Sequence, residues 1–167
     1  MNFLEKNLEE IVFETPNELL HSRGLFIYGQ KKRQVRIGNY GIADIITWYR
    51  YDNELNVSII ELKKDNISVG TLLQAMNYVR GVQMYFNRRR WPFPINFTIT
   101  LIGRELDVNG SFCFFPDIIP FLKIYTYDYN FDGISFTQQE GYNLTNDGLG
   151  PFDNRRNKIS QPFNHIH

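Results

Sequence analysis

Residues 41–64 read GIADIITWYRYDNELNVSIIELKK. Two runs rich in β-branched and aromatic residues flank the turn-forming trio Asp52, Asn53 and Glu54. A hairpin from about 42 to 63 is the reading that fits. Side chains alternate between the faces of a strand. Val57, Ile59, Glu61 and Lys63 therefore share one face, and Ser58, Ile60 and Leu62 the other. On the first strand Asp44 shares its face with Ile42 and Ile46. If the strands pair, Asp44 comes near Glu61 and Lys63, and three ionisable groups meet at one end of a largely apolar sheet.

That convergence is costly. An unpaired buried ion costs several kcal/mol even after relaxation. Two close carboxylates repel, so the pKa of one rises. A divalent cation relieves both problems. Mg²⁺ takes oxygen ligands, often one or two carboxylates plus waters and phosphate oxygens, and Mn²⁺ is the expected substitute. The Lys63 ammonium is then placed to act on an attacking water or to offset negative charge at phosphorus. Taken singly, Glu61 and Lys63 also read as a solvated strand face with an ordinary cross-strand ion pair, worth under about 1 kcal/mol.

Outward from the hairpin, residues 2–14 read as a helix, with Leu4, Leu8, Ile11 and Val12 at helical spacing, stopped by Thr15-Pro16. PNELLHSRG adds a short helical turn ending at Gly24. LFIYGQ and RQVRIG read as short strands joined by a basic turn, Lys31-Lys32-Arg33. A long helix is expected from about Val69 to Asn87, capped by Ser68 or Thr71. Its apolar stripe is Leu72, Leu73, Met76, Val79 and Val82. On that helix Gln74 and Tyr78 are neighbours at i and i+4. RRRWPFP breaks the helix, and NFTITLIGREL, LKIYTYDYN and GISFTQQEG follow as strands, the last after an Asp132-Gly133 turn. The expected architecture is α/β (α+β), one mixed sheet with helices against it. Residues 1–145 form the domain, and 146–167 read as an irregular tail rich in Gly, Asn and Pro.

In that order the residues resemble the PD-(D/E)xK nuclease superfamily, whose fold is restriction-endonuclease-like. Asp44 followed by Glu61-Leu62-Lys63 matches its signature, with Ala43 where the Pro of "PD" would stand. Gln74-AMN-Tyr78 resembles the QxxxY helix motif of the RecB-like and NucS-like branches. QVRIG at 34–38, GIADII at 41–46, Leu8-Glu9-Glu10 and PNELL at 16–20 are similar to the lead-in of the NucS-like catalytic domain. The likeness spans roughly residues 4–88. It implies that Asp44 and Glu61 bind the metal and Lys63 assists the water. Gln74 and Tyr78 orient the site or the DNA backbone. A first-helix glutamate completes the metal site, with Glu9 the choice and Glu5 and Glu10 the alternatives.

The implied activity is Mg²⁺-dependent hydrolysis of DNA phosphodiester bonds, by an endonuclease of repair, restriction, or phage or defence DNA processing. The alternative is a catalytically inactive module of nuclease-like fold that binds nucleic acid or protein. Lys31-Lys32-Arg33, Arg88-Arg89-Arg90 and Arg155-Arg156 are candidate phosphate contacts, and Trp91 is placed to stack on an unpaired base. Formal net charge is zero, which argues against a nonspecific nucleic-acid coat. A dimer or a partner protein is expected to help DNA binding. The single cysteine, Cys113, forms no internal disulfide and fits a reduced, cytoplasmic setting. No signal peptide or membrane span is evident. No zinc-ligand spacing and no phosphate-cradling glycine loop occurs, so no nucleotide cofactor is expected.

Overall fold

The computed structural model describes residues 5–107 and 115–139. Its centre is a six-stranded sheet built on the hairpin. Strand β2 (Ile42–Tyr51) turns at Asp52, which takes a φ of 51°, into β3 (Glu54–Leu62). β1 (Gln30–Arg36) pairs antiparallel with the outer side of β2. On the other side β3 runs parallel to β5 (Ile95–Gly103), and β5 parallel to β7 (Leu122–Asn130). β8 (Gly133–Gln138) closes the sheet antiparallel to β7, giving the order β1-β2-β3-β5-β7-β8. Two short strands, β4 (Asn66–Ile67) and β6 (Glu105–Leu106), pair with each other beside it.

Helices cover both faces. The crossover from β3 to its parallel neighbour β5 is α3 (Val69–Arg88). Ser68 caps it, and the Ser68 N–H donates to Thr71 Oγ1 at 3.4 Å. α3 packs on Ile46, Val57, Ile59, Ile99, Leu101 and Ile124 through Leu72, Ala75 and Tyr78. The other face carries α1 (Glu5–Glu14) and α2 (Asn17–Ser22), whose Leu8, Val12 and Leu20 meet Ile45, Ile60, Leu62, Ile102 and Tyr125. A fourth helix, α4 (Phe115–Ile118), precedes β7. Each sheet face thus has its own apolar layer, in a mixed α/β single domain.

Four expectations need correction. LFIYGQ alternates buried and exposed as a strand would, with Leu25 and Ile27 in the core, yet residues 25–28 have no ladder partner. Alternation reports an extended half-buried chain, not hydrogen bonding. Lys31-Lys32-Arg33 is not a turn but the middle of edge strand β1. Charged side chains suit an edge, where they oppose pairing with another chain. Lys31 also has a local task, since its Nζ donates to the carbonyls of Val12 (3.1 Å) and Thr15 at the end of α1. On α3 the buried stripe is rotated from the expected one: Leu73 is 60% exposed and Met76 42%, and Ala75 and Tyr78 take the inward places. At the last hairpin Asn130 already faces Gly133, so Phe131 and Asp132 make the turn. The expected tail, Cys113 and Arg155-Arg156 lie outside the described residues. Among the described residues no helix is long and apolar enough to cross a membrane.

Candidate active site

The antiparallel register of β2 and β3 sets Ile45 opposite Ile60, and Asp44 and Glu61 are the next positions beyond that pair. The Asp44 carboxylate reaches across, accepting the Leu62 N–H at 2.9 Å. In return Glu61 Oε1 accepts the Asp44 N–H at a long 3.4 Å. Glu61 is 1% exposed. These two hydrogen bonds are all that the pair's four carboxylate oxygens accept from the described residues.

Burial dominates the electrostatics. It pushes the Glu61 carboxyl up to about 8, and the neighbouring Asp44 charge adds to that. The Asp44 N–H and the Lys63 charge oppose the rise without cancelling it. Asp44 is raised by burial too, against the Leu62 N–H and Lys63. Lys63 therefore acts on both carboxylates from one residue past β3.

α1 lies over this end of the sheet. Glu5 accepts the Lys64 N–H at 3.1 Å, and its charge raises both Asp44 and Glu61. The Glu9 charge bears on Asp44, while Glu10 is exposed and figures in neither shift. Glu9 is held by Gln34, whose Nε2 donates to it at 2.6 Å. Gln34 has a φ of 51°, a conformation that a residue with a Cβ adopts at a cost. Gln34 and Asp44 stand opposite one another but form no ladder pair. The alternation of β2 breaks at the same place. Ala43 packs into the α3-side core and Ile45, two residues on, into the α1-side core. The backbone is thus irregular where Asp44 is presented.

Gln74 and Tyr78 are brought together, with Gln74 Nε2 donating to the Tyr78 hydroxyl at 2.7 Å. Tyr78 sits against Gly41, three residues before Asp44. A Cβ there would stand 2.9 Å from Tyr78 Cε1, and the φ of 120° also calls for glycine. Neither side chain hydrogen-bonds Asp44, Glu61 or Lys63. Arg88, Arg89, Arg90 and Trp91 are not part of this cluster. They end and follow α3, about 15 Å along the helix from Tyr78. Trp91 is engaged edge-on by Phe86 and Phe93.

Two desolvated carboxylates with unspent oxygens suit a hard divalent cation in donor chemistry. Among the described residues no three Asp, Glu, His or Cys side chains gather closely enough to hold one ion. Mg²⁺ needs only one or two carboxylates, the rest being water and substrate oxygen. Sequence reasoning gave Gln34 no role and did not find the bond from Glu5 to Lys64. A left-handed glutamine carries no propensity signal, and the Glu5 bond depends on how α1 docks. No family model, no curated protein and no solved structure matches the chain.

Proposed function

We propose that the protein is a divalent-metal-dependent endonuclease of PD-(D/E)xK type that hydrolyses DNA phosphodiester bonds. The observation that carries this reading is the Asp44–Glu61 pair, Glu61 buried and Asp44 half-buried, with Lys63 beside it, at the sheet end where α1 adds Glu5 and Glu9. A purely structural role leaves unexplained why two carboxylates are desolvated together with so few donors around them.

Asp44 and Glu61 would hold the cation, with Glu9 or Glu5 beside them. When bound, the ion supplies positive charge at the phosphate and lowers the pKa of water. Glu61 must give up its proton to serve as a ligand. Lys63 Nζ would hydrogen-bond the incoming water and the phosphate oxygens, stabilising the charge that grows as water attacks phosphorus in line, its proton passing to solvent, and the 3′ oxygen leaves and is protonated by solvent. Gln74 and Tyr78 brace the backbone leading to Asp44 through Gly41.

Circular single-stranded and supercoiled double-stranded DNA test the reading, with Mg²⁺ or Mn²⁺, beside EDTA and Lys63→Ala. Metal-dependent cutting that vanishes in the variant supports it. If nothing is cut and Mg²⁺ leaves the melting temperature unchanged, the nuclease reading fails and a binding module of the same fold replaces it.

A further inference from the structure

Away from the carboxylates, a groove of about 1030 Å³ opens between β1, the turn at Gly38–Tyr40 and the C-terminal half of α3. Its floor is apolar, with Ile46 and Trp48 from β2 and Val82 and Phe86 from α3. Tyr40 and Tyr85 bring rings to its walls. Arg36, Arg88 and Arg89 stand among its lining residues, and no carboxylate does. None of the three arginines has a carboxylate within 4.0 Å, since the described residues contain one ion pair, Arg33–Glu14. The Arg89 guanidinium instead lies 4.5 Å over the centroid of Tyr85, a ring that is half exposed.

An apolar slot with aromatic walls, ringed by unpaired guanidiniums, has the chemistry of a flat ring joined to anionic groups. We infer that the groove takes an unpaired nucleobase of a single strand, with Arg36, Arg88 and Arg89 on the flanking phosphates. Base stacking on aromatic side chains and phosphate contacts from arginine are the two general elements of single-strand binding. A duplex keeps its bases stacked inside and offers the floor nothing apolar. The position also suits the candidate active site. Trp48 lies four residues along β2 from Asp44, about 13 Å, so one strand spans both. In that respect the inference rests on the nuclease reading and narrows its substrate to DNA with unpaired nucleotides beside the scissile bond.

Binding measured in EDTA separates the two ideas. The chain's two tryptophans, Trp48 and Trp91, both border the groove or its continuation beneath Phe86. A stacked base should therefore quench their fluorescence. The full chain is titrated with a labelled single-stranded 20-mer, a hairpin duplex of equal charge and an acidic peptide, at several salt concentrations. The single strand should bind tightest and quench. Tyr85→Ala should weaken it about 5- to 100-fold, with an unchanged circular dichroism spectrum. Arg36→Ala and Arg88→Ala should each reduce the slope of log affinity against log salt by about 0.7. Equal or tighter duplex binding overturns the inference, as does an unaltered affinity in Tyr85→Ala. An acidic peptide that binds and quenches as well as the strand assigns the groove to a protein partner and also overturns it. Tyr85-dependent strand binding without any metal-dependent cutting sinks the nuclease reading and leaves the groove assignment standing. Cutting that is indifferent to Tyr85 and the arginines does the reverse.

Discussion

Replacing Glu61 by Gln should stabilise the metal-free protein at alkaline pH and leave it nearly unchanged at pH 4.5. Burial and the Asp44 charge raise the Glu61 carboxyl from 4.5 to about 8. The unfolded chain ionises this group at its ordinary value. Between those two pH values the folded state holds a proton that the unfolded state has lost. Stability contributed by Glu61 is thus intact below about pH 4.5, falls as pH rises through the window, and levels off above about 8. At about 1.4 kcal/mol per pH unit the gap is worth roughly 5 kcal/mol. Water entry and proton sharing with Asp44 reduce this to about 2–4 kcal/mol. Glutamine has the same shape, cannot ionise, and keeps an oxygen for the Asp44 N–H. The variant should therefore gain on the order of 10 °C in Tm over wild type at pH 8.5, at about 2–4 °C per kcal/mol. The assay is thermal and urea unfolding in EDTA from pH 4.5 to 9, taking the difference between the two proteins at each pH. A difference that does not grow with pH, or a variant less stable at pH 8.5, would refute the assignment of a desolvated, proton-holding carboxyl to Glu61.

Mg²⁺ should raise the Tm of the wild-type protein, more at pH 8 than at pH 6 because binding displaces the Glu61 proton. Saturation at a hundred times Kd corresponds to about 2.7 kcal/mol, and Asp44→Asn or Glu61→Gln should abolish the rise in a fluorimetric melt. Lys31→Met should cost about 1–3 kcal/mol in urea unfolding, because the end of α1 loses the ammonium bound to the Val12 and Thr15 carbonyls. Gly81→Ala should destabilise by about 1–3 kcal/mol although alanine is the better helix former. Its Cβ would stand 2.5 Å from Ile37 Cγ2 and 2.8 Å from Tyr40 Cδ2, pushing α3 off the turn beside the groove. An unchanged denaturation midpoint would show that this contact yields freely.

The hairpin was legible because its signals are local. β-branched runs, a turn trio and period-2 alternation set β2 and β3 nearly to their ends, and the same register placed Asp44 by Glu61. α3 was legible in extent but not in rotation. Counting apolar side chains drew Leu73 and Met76 inward. The sheet instead selects the face of Leu72, Ala75 and Tyr78, where the small Ala75 permits close approach, and Gly81 lets α3 meet Ile37 and Tyr40 at the turn. The LFIYGQ segment and the basic run were misread for one reason. Hydropathy tells which side chains are buried, and it does not tell which backbone has a partner strand. The link from Gln34 to Glu9 spans 25 residues and depends on how α1 docks across β1, so no local pattern contains it.

Four departures from regular structure coincide within one turn of chain around Asp44. Gln34 takes a left-handed φ, its ladder pairing with Asp44 is missing, the alternation of β2 breaks between Ala43 and Ile45, and Gly41 is pressed against Tyr78. Elsewhere β1, β2 and β3 keep an unbroken register. A fold under pressure for stability alone would remove such strain with a glycine at 34 and an apolar pair at 44 and 61. Each change is chemically simple, and the second would also remove the desolvation of two carboxylates. Local conflict of this kind, concentrated at one point in an otherwise consistent sheet, supports the proposed reading of this end of the hairpin as a site of chemistry. It turns the Asp44 side chain in toward the Leu62 N–H rather than leaving it on a regular strand face. It also separates the two ends of the hairpin in role: the turn at Asp52 obeys sequence propensity, and the open end obeys the carboxylates.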